Sequence, residues 1–105
     1  MEFKQYRQGD VLITPIPAIP ITALPTKTKR RIVLAEGEAT GHCHAIDYTS
    51  KQMQVLVDGQ QLYLRVKEPV TLTHQEHAPA TIEPGDYMVV RQVEMWMDEV
   101  RKVVD

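Results

Sequence analysis

The stretch Met53-Gln54-Val55-Leu56-Val57-Asp58-Gly59-Gln60-Gln61-Leu62-Tyr63-Leu64-Arg65-Val66 decides the fold. Met53 to Val57 reads as one strand. Leu62, Leu64 and Val66 alternate with Tyr63, Arg65 and Lys67, the period of a strand with one buried and one wet face. Asp58-Gly59 between the two apolar runs signals a two-residue hairpin.

The same pattern extends outward. Upstream, Arg31-Ile32-Val33-Leu34-Ala35 is strand-like, and Glu36 to Gly41 is a loop whose glycines supply backbone freedom. His42 to Tyr48 reads as the next strand, ending at Thr49-Ser50-Lys51. Nearer the start, Tyr6-Arg7-Gln8-Gly9-Asp10 reads as an opening turn and Val11-Leu12-Ile13-Thr14 as a strand. Pro15, Pro17, Pro20 and Pro25 then alternate with Ile16, Ile19, Ile21 and Leu24. Proline fixes φ and removes donors, so this segment is an extended arm rather than a helix or a central strand. Its apolar residues must pack on something: an edge of its own sheet, which is favoured, or a neighbouring subunit.

Downstream, Glu68-Pro69 breaks the alternation and Val70-Thr71-Leu72-Thr73 delivers the chain to His74. Ala78 to Ile82 is extended, Glu83-Pro84-Gly85-Asp86 is a turn, and Tyr87 to about Met95 is a final strand. Met97 to Val104 reads as a short helix with Val100, Val103 and Val104 as its apolar stripe. Asp98 and Glu99 lie early in it and Arg101 and Lys102 late, as a helix dipole prefers. Short strands separated by turns predict an all-β barrel or sandwich. It carries a Pro-rich N-terminal arm and a short C-terminal helical segment, and forms a single domain over residues 1–105.

Composition narrows the function. The chain has 105 residues, 43% apolar and 25% charged, with a net charge of −2, the balance of an ordinary globular protein. That balance counts against nucleic acid as a partner; Lys27, Lys29, Arg30 and Arg31 form one local basic run, read as a solvated loop. No apolar run reaches membrane-spanning length, and Met1-Glu2-Phe3-Lys4-Gln5 does not open a secretory signal. The single cysteine, Cys43, excludes an internal disulfide and fits a reducing cytoplasm. A core this small favours assembly as a homo-oligomer.

All four histidines fall in two pairs, His42-Cys43-His44 and His74-Gln75-Glu76-His77. On a strand, His42 and His44 share a face, roughly 6–7 Å apart at Cα, and Cys43 faces away. His74-x-x-His77 does not fit a straight strand, so His74 belongs at a strand end and His77 in the turn that follows. Imidazole is the commonest zinc ligand and also suits iron, copper and nickel. The pairing points to His42, His44, His74 and His77 around one divalent transition metal. Zinc is the first choice, with iron, manganese or nickel as alternatives. Two plainer readings stand beside it: solvated surface histidines, and a cluster that protonation drives apart near pH 6.

A structural zinc in so small a domain usually uses cysteines, which tilts the reading towards a catalytic or substrate-binding ion. Four carboxylates, Glu36, Glu38, Glu76 and Glu94, are near in sequence or by strand pattern. Glu38 and Glu76 are the candidates for catalytic acid or base, serving a water activated by the metal. The plain alternative for each is a surface carboxylate. No phosphate-binding Gly-rich loop, Gly-x-Ser-x-Gly elbow or zinc-protease helix motif is present.

Two resemblances sit on these residues. Gly37-x4-His42-x-His44 with the later Pro84-Gly85-Asp86-Tyr87 is similar to the cupins, which implies a β-barrel metalloprotein with His42 and His44 as ligands. Tyr48 and Thr49 stand where cupins carry a glutamate, and no histidine follows Pro84-Gly85. The chain also resembles a group of short uncharacterised bacterial and phage-associated proteins. They share Arg7-Gln8-Gly9-Asp10-Val11-Leu12, Gly41-His42-x-His44, His74-x-Glu76-His77-x-Pro79 and Pro84-Gly85-x-Tyr87, then Arg91-Gln92-x-Glu94. That resemblance implies no named activity.

The functional expectation is therefore a small cytoplasmic metalloenzyme performing metal-water hydrolysis or hydration on a small-molecule or polymer substrate. An iron oxygenase is the less favoured chemistry, because two histidines and one carboxylate are its usual signature. The alternative is a non-catalytic oligomeric accessory protein whose histidines hold a structural metal or an interface.

Overall fold

The computed structural model describes residues 4–28, 30–36 and 42–91. They form ten strands and no helix. The helix expected over Met97 to Val104 and the end of the last strand lie outside the described residues.

The hairpin that decides the fold is present. Strand β6 (Met53–Asp58) pairs antiparallel with β7 (Gln61–Val66). Its closing pair is Asp58 with Gln61, so the loop is Gly59-Gln60, one residue later than the Asp58-Gly59 signal suggested. The reason is conformational: Gly59 takes φ +64°, which glycine adopts without penalty and aspartate does not.

Around this hairpin the chain builds two antiparallel sheets. The larger adds β1 (Tyr6–Gln8), β2 (Val11–Pro15), β3 (Leu24–Pro25) and β10 (Gly85–Arg91), in the order β1-β2-β10-β7-β6-β3. The smaller runs β4 (Arg31–Glu36), β5 (Cys43–Asp47), β8 (Val70–Thr73), β9 (Ala80–Ile82). The two sheets stay separate, so the architecture is a sandwich and not a closed barrel. No helix among the described residues is long and apolar enough to cross a membrane.

The inner faces meet in one core of Val11, Ile13, Ile46, Met53, Leu64, Val66, Leu72 and Ile82, with Tyr6 and Tyr87 at its side. Alternation explains the choice: in β8, Val70 and Leu72 are buried while Thr71 and Thr73 are exposed. Leu64 and Val66 are buried as their alternation predicts, but Tyr63 and Arg65 on the other face of β7 are only half-exposed. Arg65 lies between Gln54 (3.2 Å) and Asp86 (3.7 Å), and Tyr63 is covered by the proline-rich arm. The arm ends in β3, which pairs with β6 as an edge strand. On the way Ile16, Ile19 and Ala23 pack with Leu56 and Tyr63, so the arm covers its own sheet.

Strand β1 holds the position that matters for function. It is an edge of the larger sheet, yet its side chains reach the smaller one. Gln8 Nε2 donates to the carbonyls of Leu72 (3.0 Å) and Ala78 (2.9 Å). The Glu83 amide donates to the Tyr6 hydroxyl at 3.1 Å. At this end of the sandwich the β1–β2 turn, the start of β5 and the segment after β8 come together.

Candidate metal centre

Strand pleating puts His44 on the inner face of β5. Ile46 shares that face and lies in the core, while Asp47 is exposed. His44 sits at the rim of the core and is only 4% exposed. Cys43 points the other way, as expected, and lies 3.7 Å from the Arg31 guanidinium. Arg31 also pairs across the strands with Asp47 at 3.0 Å.

His74 follows the last residue of β8, and His77 lies in the bend beyond it, as the sequence predicted. Two bonds hold this segment against β5. The Gln75 side-chain oxygen accepts from the Cys43 amide at 2.9 Å, and the Thr73 hydroxyl donates to the Ala45 carbonyl at 3.2 Å. The His44 and His74 rings are 4.3 Å apart between centroids, His74 and His77 4.6 Å, and His44 and His77 5.6 Å. Each of the three offers one ring nitrogen, and the three nitrogens all lie within 4.8 Å of one another. Donors around a tetrahedral zinc, each about 2.0–2.1 Å from it, stand about 3.4 Å apart, a spacing that limit accommodates. Exposure rises across the set: His44 is buried, His74 half-buried and His77 exposed.

His42 stands beside this trio. It lies just before β5, where the pleat no longer fixes its direction, and the last β4–β5 pair is Glu36 with Cys43. Its ring is 5.8 Å from that of His74, and its Nδ1 is 3.6 Å from Glu76 Oε2. The structure thus joins three of the four expected ligands and sets the fourth against Glu76. The Glu76 carboxylate is largely exposed, and its backbone amide donates to His74 Nδ1 at 3.0 Å. Glu38 and the side chain of Glu36 lie outside the described residues, as does Glu94.

Three residues complete the site that were read only as a turn. Gln8 is 3% exposed, and its side-chain oxygen lies 2.9 Å from His44 Nδ1. Gly9, at φ +58°, comes so close that an added Cβ would stand 3.0 Å from both His44 Cε1 and His77 Nε2. Asp10 Oδ1 lies 3.6 Å from His44 Nε2. The only sequence signal for them was the shared string beginning Arg7-Gln8-Gly9-Asp10, far from any histidine.

Electrostatics keep the buried ring neutral. Burial first, then the neighbouring His74, His77 and Arg91, hold His44 below its ordinary value of 6.5, with Asp10 opposing them. Neutral imidazole is the form that binds a metal. The donor set and its spacing could therefore hold a metal ion.

A family model matches residues 7–92. The chain belongs to that family, described as a domain of unknown function (DUF8820). The match takes in Gln8, Gly9, Asp10, the four histidines and Glu76, so the whole described cluster lies within the DUF8820 domain. No curated protein and no solved structure matches the chain.

Proposed function

We propose that this DUF8820 chain is a small metalloenzyme whose His44, His74 and His77 hold one divalent transition ion. Zinc is the first choice, and iron, manganese or nickel are the alternatives. The observation that carries the reading is the convergence of three ring nitrogens within 4.8 Å at a rim where His77 is exposed. Three protein ligands with a side open to solvent is the catalytic arrangement, whereas structural zinc sites are closed by four. An ion held there supplies Lewis-acid activation of water, which suits hydrolysis or hydration.

The chain's own residues would do the rest. Glu76 is the acid/base in this scheme, with His42 beside its carboxylate at 3.6 Å to pass a proton to solvent. Glu38 is the alternative base. Gln8 and Gln75 hold the two ligand-bearing segments, and Gly9, with no side chain, lets the β1–β2 turn pack against the His44 and His77 rings. A cytoplasmic setting fits the free thiol of Cys43.

The second reading is a non-catalytic oligomeric accessory protein. It draws on Ile21 in the arm and Leu24 in the edge strand β3, 97% and 66% exposed. Chelation separates the two. An enzyme stripped of its ion keeps its fold and loses turnover of ester, amide or phosphoester test substrates, and zinc restores it. A structural site loses several degrees of melting temperature on chelation and shows no turnover in either state.

A further inference from the structure

The Gln8 side chain makes three contacts, and together they fix its orientation. Two backbone carbonyls, of Leu72 at 3.0 Å and Ala78 at 2.9 Å, lie against one end of the amide. Only the NH2 end can donate to both; the reverse orientation would set oxygen against two carbonyl oxygens. The amide oxygen is therefore the atom facing His44 Nδ1 at 2.9 Å. An oxygen there accepts, so Nδ1 must carry the proton. In a neutral ring that leaves Nε2 bare, and Nε2 is the nitrogen on the Asp10 side, 3.6 Å from its carboxylate.

His74 is set the other way. Its Nδ1 accepts from the Glu76 amide at 3.0 Å, so its neutral ring carries the proton on Nε2. Of these two adjacent rings, only His44 has a bare Nε2 before any ion arrives. His74 must move a proton, or give up its bond to the amide, in order to ligate.

We infer that Gln8 is a positioning residue: it holds buried His44 in the Nδ1–H tautomer, so that this histidine is the preset anchor for the ion. The inference rests on the three-histidine reading for its consequence, but the tautomer stands independently of any metal. It gives the Arg7-Gln8-Gly9-Asp10 turn a role beyond joining two strands. An outer partner on the non-ligating nitrogen fixes a ligand's tautomer and ring orientation, and its loss typically weakens metal affinity roughly 10–100-fold.

The test begins with metal-free, 15N-labelled protein at pH 8, using long-range 15N–1H correlations to read each ring. His44 is expected to carry its proton on Nδ1 and His74 on Nε2. In Gln8→Leu the His44 proton moves to Nε2, the commoner form of a free imidazole, and zinc affinity by competition titration falls about 10–100-fold. Gln61→Leu removes an amide that also donates to a backbone carbonyl, that of Val89, in the larger sheet. It lowers the melting temperature and leaves zinc affinity within about twofold, which separates positioning from general loosening. A wild-type His44 with its proton on Nε2 overturns the inference, even if Gln8→Leu does not fold. So does a folded Gln8→Leu that binds zinc like the wild type. Failure of zinc to bind a wild-type protein that does show the Nδ1–H tautomer supports the role of Gln8 and defeats the metalloenzyme reading instead.

Discussion

Tyr6 and Gln8 leave β1 on the same side, 6% and 3% exposed, and enter two polar networks with different outcomes. Around Tyr6 the network closes. Its hydroxyl accepts from the Glu83 amide at 3.1 Å, and the Tyr87 hydroxyl donates to the Glu83 carbonyl at 2.6 Å. The two phenol rings meet edge-on with centroids 6.0 Å apart. Around Gln8 the amide is fully used, yet the histidines beyond it bring three ring nitrogens within 4.8 Å of one another. Both networks satisfy the rule that buried polar groups need partners. Only the second gathers several metal-binding groups near solvent, beside exposed His77, and that separates a site from a staple.

Removing ligands should have the largest effect on the histidine network. His44→Ala, His74→Ala and His77→Ala should each weaken zinc binding more than about 100-fold, beyond the roughly 10–100-fold typical of outer partners. His42→Ala should cost less than about tenfold, because its ring lies outside the trio. A competition titration against a chromophoric chelator reads all four. Equal losses for His42 and His77 would place His42 among the ligands.

Gly9→Ala is the next largest. A Cβ there would press on His44 and His77 at 3.0 Å, and the left-handed backbone adds about 1–2 kcal/mol. Urea unfolding should show the variant less stable, with a wider gap when zinc is present. A stability loss that zinc does not enlarge would mean the turn does not sit over the ion.

How far the sequence could be read follows the same division. Period-two alternation exposed the hairpin, the strand faces and the opposite directions of His44 and Cys43, because pleating is a local rule. The placement of His74 and His77 also followed locally, because their three-residue spacing does not fit a straight strand. What stayed hidden depends on pairing between strands remote in sequence. Nothing near Gln8 reveals that its amide meets Leu72 and Ala78, or that Gly9 packs over rings from β5 and the segment after β8. His42 was grouped with His44 by strand geometry, but it lies one residue before the strand begins, where that geometry stops. The Asp58-Gly59 signal missed by one residue because the glycine, not the pair, sets the turn.

The closed network should respond to loss of its own hydroxyl and leave the other untouched. Tyr87→Phe removes the bond to the Glu83 carbonyl and should cost about 1 kcal/mol in urea unfolding, with zinc affinity unchanged. A parallel loss of zinc affinity would mean the two networks are coupled through β1.

The smallest effects lie in pH, and their signs are opposite. His44 is held below its ordinary 6.5 by burial, so the unfolded chain takes up that proton first as pH falls. The stability it contributes is present above about pH 6.5 and is lost as pH falls below that towards the folded value. Tyr87 is pushed from 10.0 up to about 12, by burial first and then by Tyr6. Here the unfolded chain releases its proton first, so stability is intact below pH 10 and declines as pH rises from 10 towards 12. Denaturation midpoints across pH in metal-free protein should show both limbs. Tyr87→Phe should flatten the alkaline one only.

The most direct measurement is metal content. Protein purified without a histidine tag and reconstituted with zinc, iron, manganese or nickel would be analysed by elemental spectrometry beside a His44→Ala/His74→Ala variant. About one ion per chain in the wild type, and none in the folded variant, is the predicted result. No ion in the wild type with any of the four metals, or the same content in both proteins, would contradict a metal centre built from these histidines.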